Sequence, residues 1–202
     1  SRGLGDVYKR QALVAERELA REPGSTVIHN LITSKAVPEI IRENGGEPVR
    51  TRVGHSFIKA KMAETNAVFG GEHSAHYYFR DFWRADSGML AAMHVLAALG
   101  QQDKPLSEMM AKYNRYAASG EINSRLDSAE AQADRTEAVV KAFADRAENV
   151  DRLDGVTVEL KDGNWFNVRA SNTEPLLRLN VEADTQEAVD ALVKEILAII
   201  RA

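Results

Sequence analysis

The chain has 202 residues, 44% hydrophobic and 28% charged, enough for one large or two small domains with buried cores. Its formal net charge of −4 supplies no basic field for nucleic acid or an anionic membrane, so any anion site has to be local. The absence of cysteine excludes a disulfide scaffold and a Cys-based zinc site, and no apolar run is long enough to span a membrane, so a cytoplasmic protein is expected.

Residues 1–11 carry neither an apolar signal-peptide core nor a cleavage pattern, and they do not resemble the rest of the chain. They are expected to be a non-native leader. Ala12 to Arg21 is a helix-forming stretch stopped by Pro23-Gly24. Thr26 to Ile32 is β-branched and apolar, the pattern of a buried strand. Thr33-Ser34 can cap a helix over 36–44, with Pro38 in its first turn and Gly45-Gly46 closing it. Pro48 to Val53 reads as a second strand, Phe57 to Glu64 as a helix, and Ala67 to Phe69 as a third strand broken by Gly70-Gly71. Asp86 or Ser87 can cap the next helix, where Leu90, Met93, Leu96 and Leu99 lie roughly along one face.

Gly100 to Pro105 reads as a linker, dividing the chain into residues 12–104 and 105–202. The first part alternates strands and helices, which predicts a three-layer α/β domain with a mostly parallel sheet. In the second, Tyr113 to Leu126 suggests an extended strand and Ser128 to Ala147 a helix. Val156, Val158 and Leu160, and then Leu177, Leu179 and Val181, alternate with polar residues as half-buried strands do, and Asp162-Gly163 marks a hairpin. The last helix opens at Asp184 or Thr185 and carries an apolar stripe from Val189 to Ile200. This part is expected to be a small α+β domain, an antiparallel sheet covered by helices on one face.

Three segments carry chemistry. Arg169 to Arg178 holds Ser171, Asn172 and Thr173 in a turn between strands, flanked by two arginines whose planar forks suit phosphate oxygens. A self-capped turn is the competing account of the same residues. Gly70 to His76 places Glu72 and Ser74 two residues apart in an extended loop, able to accept from and donate to neighbouring sugar hydroxyls. A metal site from Glu72, His73 and His76 competes with it, on the weak ground of two histidines three apart. Gly54 to Lys59 sets His55 and Lys59 at a strand-to-helix turn whose N-terminus favours an anion. His29 and His94 fall within an expected strand and helix and are read as structural.

Arg169-Ala170-Ser171-Asn172-Thr173-Glu174-Pro175 followed by Leu176-Leu177-Arg178 resembles the phosphate-binding loop in the last domain of the α-D-phosphohexomutases, the phosphomannomutase/phosphoglucomutase family. Gly71-Glu72-His73-Ser74-Ala75-His76 is similar to that family's sugar-recognition loop, with Ala75 where the usual pattern has glycine, a substitution that costs something if the position needs positive φ. Gly54-His55-Ser56-Phe57-Ile58-Lys59 is similar to a third family segment, with its histidine near the sugar phosphate. The resemblance extends from about Ala12 to Ala202 and implies the C-terminal half of such an enzyme.

The resemblance implies a phosphotransferase interconverting hexose 6-phosphate and hexose 1-phosphate through a phosphoserine and a 1,6-bisphosphate. Glu72, Ser74 and His76 would contact the sugar. Arg169, Ser171, Asn172, Thr173, Arg178 and Lys59 would contact phosphate, and His55 would assist. The family uses Mg2+ and a glucose or mannose 1,6-bisphosphate, yet neither the serine loop nor the magnesium loop has a counterpart in this sequence. The chain is therefore expected to hold only the sugar- and phosphate-binding part and to be inactive alone, its partners being hexose phosphate and the preceding domains of the same enzyme, with no nucleic acid or membrane involved. The alternatives are a stand-alone phosphosugar-binding module and an interaction domain whose loops have drifted from use.

Overall fold

A computed structural model describes residues 7–171 and 174–202. The chain divides between Arg115 and Tyr116 into two units. The first contains, in order, α1 (Val7–Arg21), β1 (Thr26–Asn30), α2 (Ala36–Glu43), β2 (Glu47–Thr51), α3 (His55–Thr65), β3 (Phe69–Gly71), β4 (Tyr77–Phe79), β5 (Ala85–Asp86), α4 (Gly88–Gly100) and α5 (Leu106–Ala111). Gly100 to Pro105 is a turn between α4 and α5 within this unit. Residues beyond it are tied back: Lys112 and Tyr113 both bond Glu16, and Arg115 bonds Glu39 and Glu43.

The five strands run in the order β2-β1-β3-β4-β5. β1 pairs in parallel with β2 and β3, and β4 and β5 extend the sheet antiparallel. The α/β architecture with a largely parallel sheet is as expected; the β4–β5 edge, hidden in the aromatic run Tyr77 to Phe79, is additional. Gly70 and Gly71 do not break β3 but complete it, because each leaves room for a helix. A Cβ on Gly71 would lie 2.5 Å from Gln11 Cδ of α1, and one on Gly70 2.9 Å from Ile58 Cγ2 of α3. These contacts fall on opposite faces of the strand, which is how two helical layers close on one sheet. Ile28, Ile58, Met62, Ala67 and Tyr78 fill the α3 side.

Helix α1 begins at Val7, ahead of the expected Ala12, and takes in part of the segment set apart as a leader; Tyr8 and Gln11 are buried. Helix α4 differs from expectation in its facing. Met93 and Leu96 are 57% and 65% exposed, as is Met89 at 73%, and only Ala91 is buried. The helix carries no Asp, Glu, Lys or Arg, so its periodicity cannot single out an inward side. Its inner contacts are made instead through His94, whose Nε2 lies 3.2 Å from Glu18 Oε1 and whose ring stacks on Phe79 at 5.5 Å.

The second unit contains β6 (Ala117–Ala118), β7 (Ile122–Arg125), α6 (Ala129–Phe143), β8 (Ala147–Asp151), β9 (Val156–Leu160), β10 (Trp165–Ala170), β11 (Leu176–Ala183) and α7 (Gln186–Ile200). Its sheet, in the order β6-β11-β10-β9-β8 with β7 also on β11, is antiparallel throughout. Val156, Val158, Leu160, Phe166, Val168, Leu177, Leu179 and Val181 point to one face and pack with Val139, Phe143 and the α7 stripe. The single strand expected over 113–126 is two short ones, interrupted by Gly120 at φ 66°. The expected helix to Ala147 stops at Phe143, and the chain then passes into β8. Thr185, rather than Asp184, caps α7 by accepting from the Ala188 N–H.

No helix among the described residues is long and apolar enough to cross a membrane. Replacing Gly71→Ala is expected to drive Gln11 from its 3.1 Å bond to the Gly71 carbonyl and to destabilise the chain by about 1–3 kcal/mol in urea unfolding. His29, within β1, offers a second check. Burial pushes its imidazole down to about 4, with Arg50 and Arg42 adding to the effect. Its folded value lies below the unfolded one, so stability is full above about pH 6.5 and falls as pH drops toward 4, by on the order of 3 kcal/mol. Over that window the thermal midpoint of wild type should fall more steeply with acidification than that of His29→Leu, which lacks the titrating group.

Candidate functional site

The first unit holds a pocket of about 490 Å3 at the C-terminal end of β3, within the size range of small-ligand sites. Its lining includes His55, Lys59, Glu72, Ser74, His76 and Asp86. The segment Glu72 to His76 is a tight turn rather than the expected extended loop. The Glu72 N–H donates to the His76 carbonyl, the Ala75 N–H donates to the Glu72 carbonyl, and Ala75 adopts φ 68°. Glycine's usual place in this turn therefore has a backbone reason, and Ala75 takes up the left-handed conformation at some cost.

Glu72 is 2% exposed, and both its carboxylate oxygens are held. Tyr78 Oη donates to Oε1 at 2.6 Å, and the Gly54 backbone N–H donates to Oε2 at 3.0 Å. Gly54 sits at φ 129° immediately before α3, so the carboxylate fixes the turn that presents His55 at the start of that helix. Burial, and then the Glu72 carboxylate, push the Tyr78 phenol up, so it remains a donor. Each carboxylate oxygen keeps a second lone pair for a ligand hydroxyl. His55, Lys59 and Ser74 are exposed around it. Tyr78 and the Gly54 N–H are not legible in the sequence as site members, since one lies in a strand and the other is main chain.

Asp86 is the other addition. Ser87 caps α4, accepting from the Leu90 N–H at 3.2 Å, which leaves Asp86 for the pocket. One Asp86 oxygen accepts from the Tyr77 N–H at 2.8 Å, and the other lies 2.8 Å from His76 Nδ1. With Glu72 and His76 separately engaged, the Glu72, His73 and His76 metal set is not assembled. Among the described residues no group of three or more His, Cys, Asp or Glu is placed to hold a metal ion. The magnesium that the resemblance implies does not fit these residues, whose carboxylates are engaged by Tyr78, the Gly54 and Tyr77 N–H groups and His76.

In the second unit Arg169 and Arg178 are directly opposed across β10 and β11, on the face away from the apolar core. Arg178 is surrounded by acceptors: Ser171 Oγ at 3.2 Å, Glu121 at 3.5 Å and Glu174 at 4.0 Å. Arg169 is 8% exposed, its Nε has no hydrogen-bond partner, and it forms no ion pair among the described residues. Gly155, at φ 65°, lies against its backbone: a Cβ there would collide with the Val168 carbonyl oxygen and lie 2.9 Å from Arg169 Cβ. The Ser171 N–H donates to the Leu176 carbonyl at 2.8 Å, so it closes the loop and does not point at a ligand. Asn172 and Thr173 lie outside the described residues.

Residues 8–116 match the family model for phosphoglucomutase/phosphomannomutase, alpha/beta/alpha domain III, and residues 121–199 that for the C-terminal domain. The chain belongs to the phosphoglucomutase/phosphomannomutase family. It is 40% identical to a phosphomannomutase of Methanocaldococcus jannaschii over 196 residues, 97% of this chain and 42% of that relative. It is 41% identical to phosphohexose mutases of Xanthomonas campestris pv. campestris over 177 residues, 87% of this chain and 38% of the relative. The fold is similar to a family protein of Burkholderia thailandensis, with a TM-score of 0.80 at 29% identity, over 96% of this chain and 42% of that one. The chain thus spans less than half the length of the curated relatives it matches.

The strain at Ala75 gives a local test of this family member's loop. Relief of a left-handed alanine, roughly 1 kcal/mol, outweighs or offsets the added freedom of the unfolded chain. Ala75→Gly is therefore expected to leave stability unchanged or raise it by up to about 1 kcal/mol, whereas Ala92→Gly in α4 costs about 1 kcal/mol. A denaturation series on both variants reads the difference.

Proposed function

We propose that this chain is the sugar- and phosphate-recognition part of a phosphohexomutase that interconverts hexose 6-phosphate and hexose 1-phosphate. In this reading a phosphoserine in another part of the enzyme gives its phosphoryl group to the sugar's free hydroxyl, making a 1,6-bisphosphate intermediate whose opposite phosphate then returns to the serine. The family supports the reaction class, and the residues support the division of labour. Glu72, Ser74 and His76 hold hydroxyls of the sugar, with His55 and Lys59 adding charge at the rim. Arg169, Arg178 and Ser171, with Asn172 and Thr173, hold the phosphate that is not transferred. A mutase must accept its sugar in two orientations, so recognition has to rest on groups common to both. A phosphate and a pair of hydroxyls meet that requirement, and glucose and mannose phosphates are both substrates on this basis.

One observation carries the phosphate assignment: a guanidinium buried beside a second arginine, with no carboxylate of its own among the described residues. Like charges directly opposed on a sheet repel, and an unpaired buried charge is costly. Glu121 and Glu174 offset only Arg178. A phosphate dianion would satisfy Arg169 and the pair together through charge-assisted bonds. Within the chain, these residues bind and orient; none has a role in breaking the phosphate ester.

Calorimetric titration with glucose 1-phosphate and mannose 1-phosphate tests this. Saturable binding of both is expected, weakened by about 2–4 kcal/mol in Arg169→Met, which keeps an apolar stem but no charge. The same variant without ligand is expected to be at least as thermally stable as wild type, since it removes an unpaired buried charge. Undiminished binding by Arg169→Met, or a marked loss of ligand-free stability, would count against the phosphate clamp.

A further inference from the structure

We propose that Asp86 is a positioning residue that fixes the tautomer of His76 and so decides what its other ring nitrogen offers to the pocket; this rests on reading the pocket as the sugar site. His76 Nδ1 lies 2.8 Å from Asp86 Oδ2. A carboxylate oxygen accepts only, so the neutral imidazole carries its proton on Nδ1 and leaves a lone pair on Nε2. The carboxylate is itself held in register, because its other oxygen accepts from the Tyr77 N–H at 2.8 Å at the start of β4. β4 and β5 are paired there, with Tyr78 opposite Asp86, so a two-strand ladder sets the distance between the histidine loop and the acid.

Three features make this more than a surface ion pair. His76 and Asp86 line the same pocket as Glu72, Ser74, His55 and Lys59. Asp86 does not serve the neighbouring helix, whose cap is Ser87. Of the two ring nitrogens, Nε2 is the one left for a ligand. An Nε2 lone pair can accept a hydrogen bond, or a proton, from a sugar hydroxyl; an Nε2–H could do neither. Glu72 next to it is likewise an acceptor, whereas Ser74 and Lys59 can donate. The pocket would thus present two acceptors with a fixed sense, and a hydroxyl lying between Glu72 and His76 would have to donate.

Asp86→Asn reverses the pairing with almost no change of shape. Its amide oxygen takes the Tyr77 N–H, so its NH2 faces His76 Nδ1 and makes that atom an acceptor, forcing the proton to Nε2. The test is ring 15N NMR of the 202-residue chain, labelled in histidine, at about pH 8.5, well above the ordinary imidazole value near 6.5. The His76 signals are assigned from those missing in His76→Gln. Wild type is expected to show a protonated Nδ1 and an unprotonated Nε2, and Asp86→Asn the reverse, a swing in tautomer ratio of at least about tenfold. A wild-type ring protonated on Nε2 overturns the proposal without recourse to any variant, and so does an unchanged ratio in a folded Asp86→Asn chain. Glucose 1-phosphate is then added. A displaced Nε2 signal supports the lone pair facing the ligand, whereas an Nδ1–H ring that ignores saturating sugar leaves the Asp86 pairing standing and counts against the sugar-site reading.

Discussion

The geometry of the pocket depends on one buried carboxylate. Glu72 joins the turn before α3, through the Gly54 N–H, to the antiparallel edge of the sheet, through the Tyr78 hydroxyl. It links the turn bearing His55 directly to the hairpin bearing Ser74 and His76, alongside the packing of Ile58 and Met62 with Tyr78. Burying a carboxylate is expensive unless its lone pairs are met, and here two donors meet them from fixed elements. That is why an acidic side chain is tolerated at 2% exposure, and why its acceptor capacity is directed rather than averaged over rotamers.

The two units solve the problem of a polar site in opposite ways. In the first, Glu72 and Asp86 are each held by protein donors, so the site is satisfied before any ligand arrives. In the second, Arg169 is short of partners among the described residues and lies beside Arg178, a condition that an anion would relieve. Pre-satisfied acceptors suit hydroxyls, which bind weakly and gain from orientation. An under-compensated cation suits a dianion, whose own desolvation is large and needs a charge already stripped of water. The local charge balance therefore matters more than the net value of −4, which by itself points away from anions.

Much of this is legible in the sequence, and the exceptions have physical causes. The α/β and α+β halves, most elements and the Glu72 and Arg169 loops emerge from periodicity, turn residues and motif resemblance. Gly70-Gly71 reads as a strand break because glycine weakens strands in isolation. In the fold those glycines admit Gln11 on one side and Ile58 on the other, a requirement set by elements far away in the chain. Asp86 and Ser87 are indistinguishable in sequence as caps, since both residue types cap helices; only the β4–β5 pairing frees Asp86 to meet His76. Helix α4 defeats periodicity for a different reason, having no charged residue to mark an outer face.

Backbone conformation ties the hairpin to the site itself. Trp83 and Arg84, at φ 53° and 54°, are consecutive left-handed residues with side chains, and Ala75 adds a third in the same hairpin region. Each conformation costs of order 1 kcal/mol or more and persists only where the surroundings over-determine it. Here the determinants are the Phe82 N–H to Phe79 carbonyl and Ala85 N–H to Phe82 carbonyl bonds on one side and the Glu72 turn on the other. The strained residues bracket β4, the strand that carries Tyr77 and Tyr78. A relaxed connection would be free to shift the register of β4 on β5. With that register, which sets Tyr78 opposite Asp86, would go the approach of Asp86 to His76, and the acceptors of the pocket would lose their fixed sense.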